Sequence, residues 1–147
     1  MIVPVPAELV PADALGRVHF IGIGGAGLSG IARIMRARGI PVSGSDGNDS
    51  TTLQALRDLG ARVHVGHRAE HVHDVDTVVV STAVREDNAE VVEARRQGLR
   101  LLPRSAALES VMQGRTVVAV AGTHSLAAAI PDVEAAVVAW LGAVLPQ

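Results

Sequence analysis

From residue 17 onward the chain alternates short apolar runs with segments of helical periodicity, the pattern of βαβ units around a parallel sheet. Residues 17–23 predict a first strand. Glycines between 22 and 30 form a turn, after which Leu28, Ile31, Ile34 and Met35 recur at helical spacing up to Gly39. Residues 41–44 predict a second strand that leads to Ser45 and Asp46. A helix with Leu53, Leu56 and Leu59 inward and Gly60 as its stop precedes a third strand at 62–65. The polar, His-rich stretch 66–76 predicts a loop or short irregular helix, and the apolar run 77–81 a fourth strand suited to a sheet centre. Asn88 is placed to cap a helix running to residue 97 and ended by Gly98. A fifth strand at 99–102, a helix at 105–112 ended by Gly114 and a sixth extended segment at 115–121 complete the series.

The expected fold is therefore α/β: a Rossmann-like, doubly wound, mainly parallel sheet in a single domain. Residues 1–16, with Pro4, Pro6 and Pro11, read as an N-terminal extension, and 17–124 as the domain proper. Residues 125–147 carry only two charges, Asp132 and Glu134, and predict an apolar C-terminal helix with Val133, Val137, Trp140 and Leu141 on one stripe. Such a helix must be covered, either by its own domain or by a second copy in a homodimer.

Composition narrows the chemistry. A formal charge of −2 and only two aromatic residues, Phe20 and Trp140, argue against nucleic-acid and membrane partners. All 13 basic residues are arginine, which excludes a lysine-based phosphate clamp, and the absence of cysteine excludes thiolate metal sites and thiol nucleophiles. The chain shows neither signal-peptide features nor an apolar run approaching the ~20 residues of a membrane span, so a cytoplasmic location is expected. His64, His67, His71 and His73 invite a metal reading, but no cysteine or well-spaced carboxylate completes a ligand set, and no metal site is expected. Asp74, Asp76, Glu86 and Asp87 read as solvated turn residues, and no catalytic residue is assigned.

Gly22-Ile23-Gly24-Gly25-Ala26-Gly27 satisfies G-x-G-x-x-G between a strand and a helix, with Asp46 at the end of the second strand. Gly24 is expected to let the backbone approach a pyrophosphate and Gly27 to permit close helix–strand packing, while the helix N-terminus supplies free N–H groups. A diphosphate can be held this way without lysine. The motif alone leaves the nucleotide open, since NAD-binding oxidoreductases, regulatory domains and UDP-sugar binders share it.

Further runs are more specific. Residues 19–32, Val42-Ser43-Gly44-Ser45-Asp46, Gly66-His67, Val79-Val80-Ser81-Thr82-Ala83, Asp87-Asn88 and 119–124 together resemble, in order, the N-terminal UDP-binding domain of the Mur ligase family, in the branch that joins L-alanine to UDP-N-acetylmuramate. The resemblance implies that Gly22 and the turn residues Gly24, Gly25, Ala26, Gly27, Leu28 and Ser29 hold the UDP diphosphate. It implies that Asp46 lies near the ribose or uracil, that His67, Ser81, Thr82 and Ala83 line the uridine pocket, and that Ser45 and Asn88 also belong to the nucleotide-binding site. Arg104 matches a basic family position and either faces phosphate or sugar or stands as a solvated surface arginine. The family's ATP loop continues Gly-Thr-His-Gly-Lys-Thr-Thr, whereas Ser125 and Leu126 stand here where glycine and lysine belong. ATP and Mg²⁺ are thus implied only for the full-length family enzyme, and this chain alone is expected to bind UDP or UDP-N-acetylmuramate without catalysing ligation. An NAD-binding Rossmann domain and a dimerising regulatory domain are the alternatives.

Overall fold

A computed structural model describes residues 2–117 of the chain. The compact unit Met1–Thr116 holds every described element. Most of the expected sixth strand, the apolar tail and the homodimer contact proposed for it lie outside the described residues.

Five parallel strands, β1 (Val18–Ile21), β2 (Val42–Asp46), β3 (Arg62–Val65), β4 (Thr77–Val80) and β5 (Arg100–Pro103), stand in the order β3-β2-β1-β4-β5. The helices are α1 (Ala26–Ala37), α2 (Thr51–Asp58), α3 (Ala89–Arg96) and α4 (Arg104–Met112), with a 3-10 turn at Ala12–Ala14 and another at Ala69–Val72. The fold is a Rossmann-like α/β unit, as the periodicity predicts. Strand limits differ by at most two residues from the sequence reading, and Gly22, Gly39, Gly60, Gly66, Gly98 and Gly114, all at positive φ, stand at or near the ends of the elements.

Side-chain parity sorts the core into two faces. Val18, Phe20, Val42, Val79 and Leu102 pack with α1, α2 and α4, whereas Ile21, Val78 and Val80 pack with Val91 and Ala94 of α3 and with Val72 and Val75. Leu53 and Leu56 are buried as expected, but Leu59 is half exposed, because it follows the last helical residue and its backbone already caps the helix end. The first 16 residues are not a detached extension: Ala12 and Leu15 enter the core, Leu9 and Val10 pack on it, and the Thr77 hydroxyl donates to the Leu15 carbonyl at 2.7 Å.

The second face is polar where β1 and β2 meet. His19, Ser43 and Ser45 are buried there, and the register pairs His19 with Ser43 and Ser45 with His64. Buried polar side chains on central strands need partners, and α3 supplies one.

Candidate functional site

Between β1 and β4 the connections diverge: β1 runs into the glycine turn and α1 on one face, β4 into residues 81–88 and α3 on the other. The C-terminal ends of these strands border the crevice at which doubly wound sheets take their ligands. A cleft of about 420 Å³ opens there, lined by Gly22, Gly25, Asp46, His67, Ser81 and Ala83, with Asn88 and the Arg85–Asp87 pair at its rim. Its volume falls in the range of small-molecule sites.

The turn is built by backbone geometry. Gly22, at φ +83°, and Ile23 both donate to the Ser45 carbonyl, at 2.8 and 3.1 Å, which fastens the turn to the end of β2. Gly24 N–H donates to Asp46 Oδ2 at 2.9 Å. A Cβ on Gly24 would sit 2.8 Å from Leu53 Cδ1 and 2.9 Å from that carboxylate oxygen, so this glycine is required by its protein neighbours. Gly25 is the N-cap of α1 and offers no side chain, and the N–H groups of Ala26, Gly27 and Leu28 have no acceptor among the described residues. Together they form an anion-seeking terminus with roughly half a positive charge.

Gly27 plays a different part from the expected helix–strand packing. It is exposed, and its Cβ position lies 2.8 Å from Arg104 Nη1 at the start of α4, so its smallness admits a guanidinium beside the turn. Arg104 is exposed and has no ion-pair partner among the described residues. Leu28 and Ser29 are buried instead, and the Ser29 hydroxyl donates to the Ala26 carbonyl at 3.3 Å, which leaves the backbone N–H of Leu28 as this pair's offering to a ligand. Thr82 and Ala83 are exposed on the loop after β4, and Asn88 caps α3 by accepting from Glu90 N–H at 2.9 Å.

Beneath the cleft lies a residue that sequence reasoning missed. Glu90, in the first turn of α3, is fully buried. Its Oε2 accepts from the Ser45 hydroxyl at 2.6 Å and stands 3.0 Å from His67 Nδ1; its Oε1 stands 2.6 Å from His71 Nδ1 and 3.5 Å from His19 Nε2. Burial pushes the Glu90 carboxyl up, but the neighbouring His19 and the hydrogen bonds from Ser45 and His71 outweigh it and hold the group at about 2. The His19 contact is long for a hydrogen bond, so Ser45, His67 and His71 are the principal donors. The α3 N-terminus adds to the preference for a negative charge. His64 stacks on His71 at 3.9 Å between ring centroids, and burial, reinforced by neighbouring His71, holds His64 low. The histidines thus serve a carboxylate, and no group of side chains suited to a metal occurs among the described residues. His19, between Val18 and Phe20 in the first strand, and the two serines of β2 were the visible signals. Period-two spacing puts all three on one face, and a buried polar strip there implies an acidic or amide partner.

The fold and crevice are those of a Rossmann-like α/β domain, whose switch point presents a glycine turn and a helix N-terminus. Residues 17–116 match the family model described as Mur ligase family, catalytic domain, and the chain belongs to the Mur ligase family. It is 79% identical over 124 residues to a UDP-N-acetylmuramate–L-alanine ligase of Nocardioides sp., which covers 84% of this chain and 28% of that protein. The corresponding ligase of Thermobifida fusca is 64% identical over 119 residues, 81% of this chain and 25% of that one. Among solved structures, the UDP-N-acetylmuramate–alanine ligase of Thermotoga maritima superposes with a TM-score of 0.63 at 34% identity, over 66% of this chain and 23% of its own. A murein peptide ligase of Psychrobacter arcticus gives 0.65 at 34% identity, over 74% and 23%. The chain therefore spans about a quarter of the length of these relatives.

Proposed function

We propose that this domain anchors the UDP end of UDP-N-acetylmuramate for a ligase that adds L-alanine. The observation that carries the reading is the crevice bordered by the first turn of α1, where, among the described residues, three backbone N–H groups stand without acceptors beside an Arg104 that makes no ion pair. The N–H groups and the helix dipole hold the diphosphate, and the Arg104 guanidinium neutralises its outer oxygens or the attached sugar. Asp46, already fixed by Gly24 N–H, and His67 receive the nucleoside. Relatives named as UDP-N-acetylmuramate–L-alanine ligases support this substrate, and a cytoplasmic setting follows from it.

ATP and Mg²⁺ belong to the proposed reaction of the full-length enzyme, in which ATP activates the muramyl carboxylate. This chain contains no lysine to reach an ATP γ-phosphate, so no step of that chemistry is assigned to its residues, and by itself it binds without ligating. The test is calorimetric titration of the 147-residue chain with UDP, UDP-N-acetylmuramate, NAD and ATP. The two uridine ligands are expected to bind more tightly than NAD or ATP, and preference for NAD or ATP would overturn the reading.

A further inference from the structure

The buried carboxylate beneath the crevice has an address and an orientation that the glycine turn does not explain. Glu90 joins α3 to two separate pieces of the chain through three side chains: Ser45 near the end of β2, and His67 and His71 from the segment after β3. His67 is the member of this set that also lines the cleft, with 28% of its side chain exposed.

The proton positions follow from valence. Ser45 has one hydroxyl hydrogen, and its 2.6 Å approach to Glu90 Oε2 commits that hydrogen to the carboxylate. His67 Nδ1 lies 3.0 Å from the same carboxylate oxygen and 2.9 Å from the Ser45 oxygen. An ionised carboxylate has no hydrogen to give, and the serine has already given its own, so both neighbours of Nδ1 are acceptors. A bare Nδ1 lone pair would face two oxygen lone pairs. Nδ1 must therefore carry the hydrogen, and in the neutral ring Nε2 is then left as the only acceptor.

We propose that Glu90 is a positioning residue that locks His67 in its Nδ1–H form, so that Nε2 presents a lone pair to a donor on the nucleoside end of the ligand. The matching donors are a ribose hydroxyl or the N3–H of uracil, and either gives the cleft a preference that the diphosphate cradle alone lacks. The inference rests on the UDP reading above, and its first half can be measured without any ligand.

Long-range ¹⁵N–¹H spectra of the ligand-free chain report the His67 tautomer directly. The expected result is a protonated Nδ1 and a bare Nε2; a hydrogen on Nε2 with a bare Nδ1 overturns the positioning role, and needs no variant that might fail to fold. UDP affinity is then measured for the parent chain, E90Q, H67A and the double variant. A Gln side chain places an N–H₂ on one side of the cluster and disturbs the lock, so E90Q should weaken UDP about tenfold, the scale of one lost oriented hydrogen bond. In the H67A background the same change should have little further effect, and an equal loss in both backgrounds overturns the claim that Glu90 acts through His67. 3-Methyluridine diphosphate and 2′-deoxyuridine diphosphate separate the two donors: the analogue lacking the bonded hydrogen loses affinity in the parent chain but not in H67A. If neither analogue discriminates between parent and H67A, His67 accepts from neither group and the ligand-facing half fails. A parent chain that ignores UDP but shows the Nδ1–H tautomer refutes the functional reading and leaves the lock standing.

Discussion

Acid should loosen this domain through one carboxyl in particular. Glu90 is held at about 2 in the folded protein against an ordinary value of 4.5, a difference worth roughly 3 kcal/mol at ~1.36 kcal/mol per pH unit. Because the folded value is the lower one, the unfolded chain takes up the proton first as pH falls. The contribution is complete above about pH 4.5 and drains away as pH approaches 2. His19, His67 and His71 face the carboxylate, and at these pH values unfolded histidines are protonated throughout. The exposed Asp49, Asp76 and Asp87 and the partly buried Glu93 are also held low by their arginine, glutamine or backbone partners, and all four are shared by any Glu90 variant. The measurement is urea unfolding followed by far-UV circular dichroism, for the parent chain and Glu90→Gln, at intervals from pH 6 to pH 2. The parent is expected to be the more stable at pH 6, and its advantage to shrink by about 3 kcal/mol by pH 2. Parallel stability curves across the window would refute the ionised, buried carboxylate on which the cluster depends.

Two further substitutions separate the site from the scaffold. Gly27→Asp puts a carboxylate at the exposed first turn of α1, beside the exposed guanidinium of Arg104. It should leave the melting temperature unchanged or higher, since acids favour helix N-termini by about 0.3–1 kcal/mol, while abolishing UDP binding by occupying the anion site. Gly44→Ala should do the reverse in order of cause: its Cβ would fall 2.5 Å from Ile23 Cδ1 and 2.8 Å from the Phe20 carbonyl oxygen, so a loss of about 1–3 kcal/mol in chemical unfolding is expected, with weakened UDP binding following from displacement of Ile23 in the turn.

Sequence periodicity carried the architecture because most strands are bounded by glycines that genuinely adopt left-handed φ, and because Leu53, Leu56, Ile31 and Met35 face inward at helical spacing. The glycine turn and Asp46 were equally legible, being contiguous motifs whose geometry is local. Their physical roles were less so. Gly24 is dictated by Leu53 and Asp46, and Gly27 lies beside Arg104, partners that only the folded chain brings near. Glu90 was opaque for the same reason: an acid in a first helical turn is ordinary on the surface, and nothing local shows that His67, His71 and Ser45, 19 to 45 residues earlier, close over it. The polar parity of His19, Ser43 and Ser45 was the trace it left in the sequence.

Backbone amide spectra recorded during a UDP titration show whether the switch-point crevice holds the UDP diphosphate against the first turn of α1. The largest shifts are expected at Ala26, Gly27 and Leu28, whose N–H groups would gain a charged acceptor, with smaller ones at Asp46, His67 and the residues following β4. Saturable binding whose largest shifts lie elsewhere, or no shifts at ligand concentrations that saturate full-length relatives, would contradict this placement.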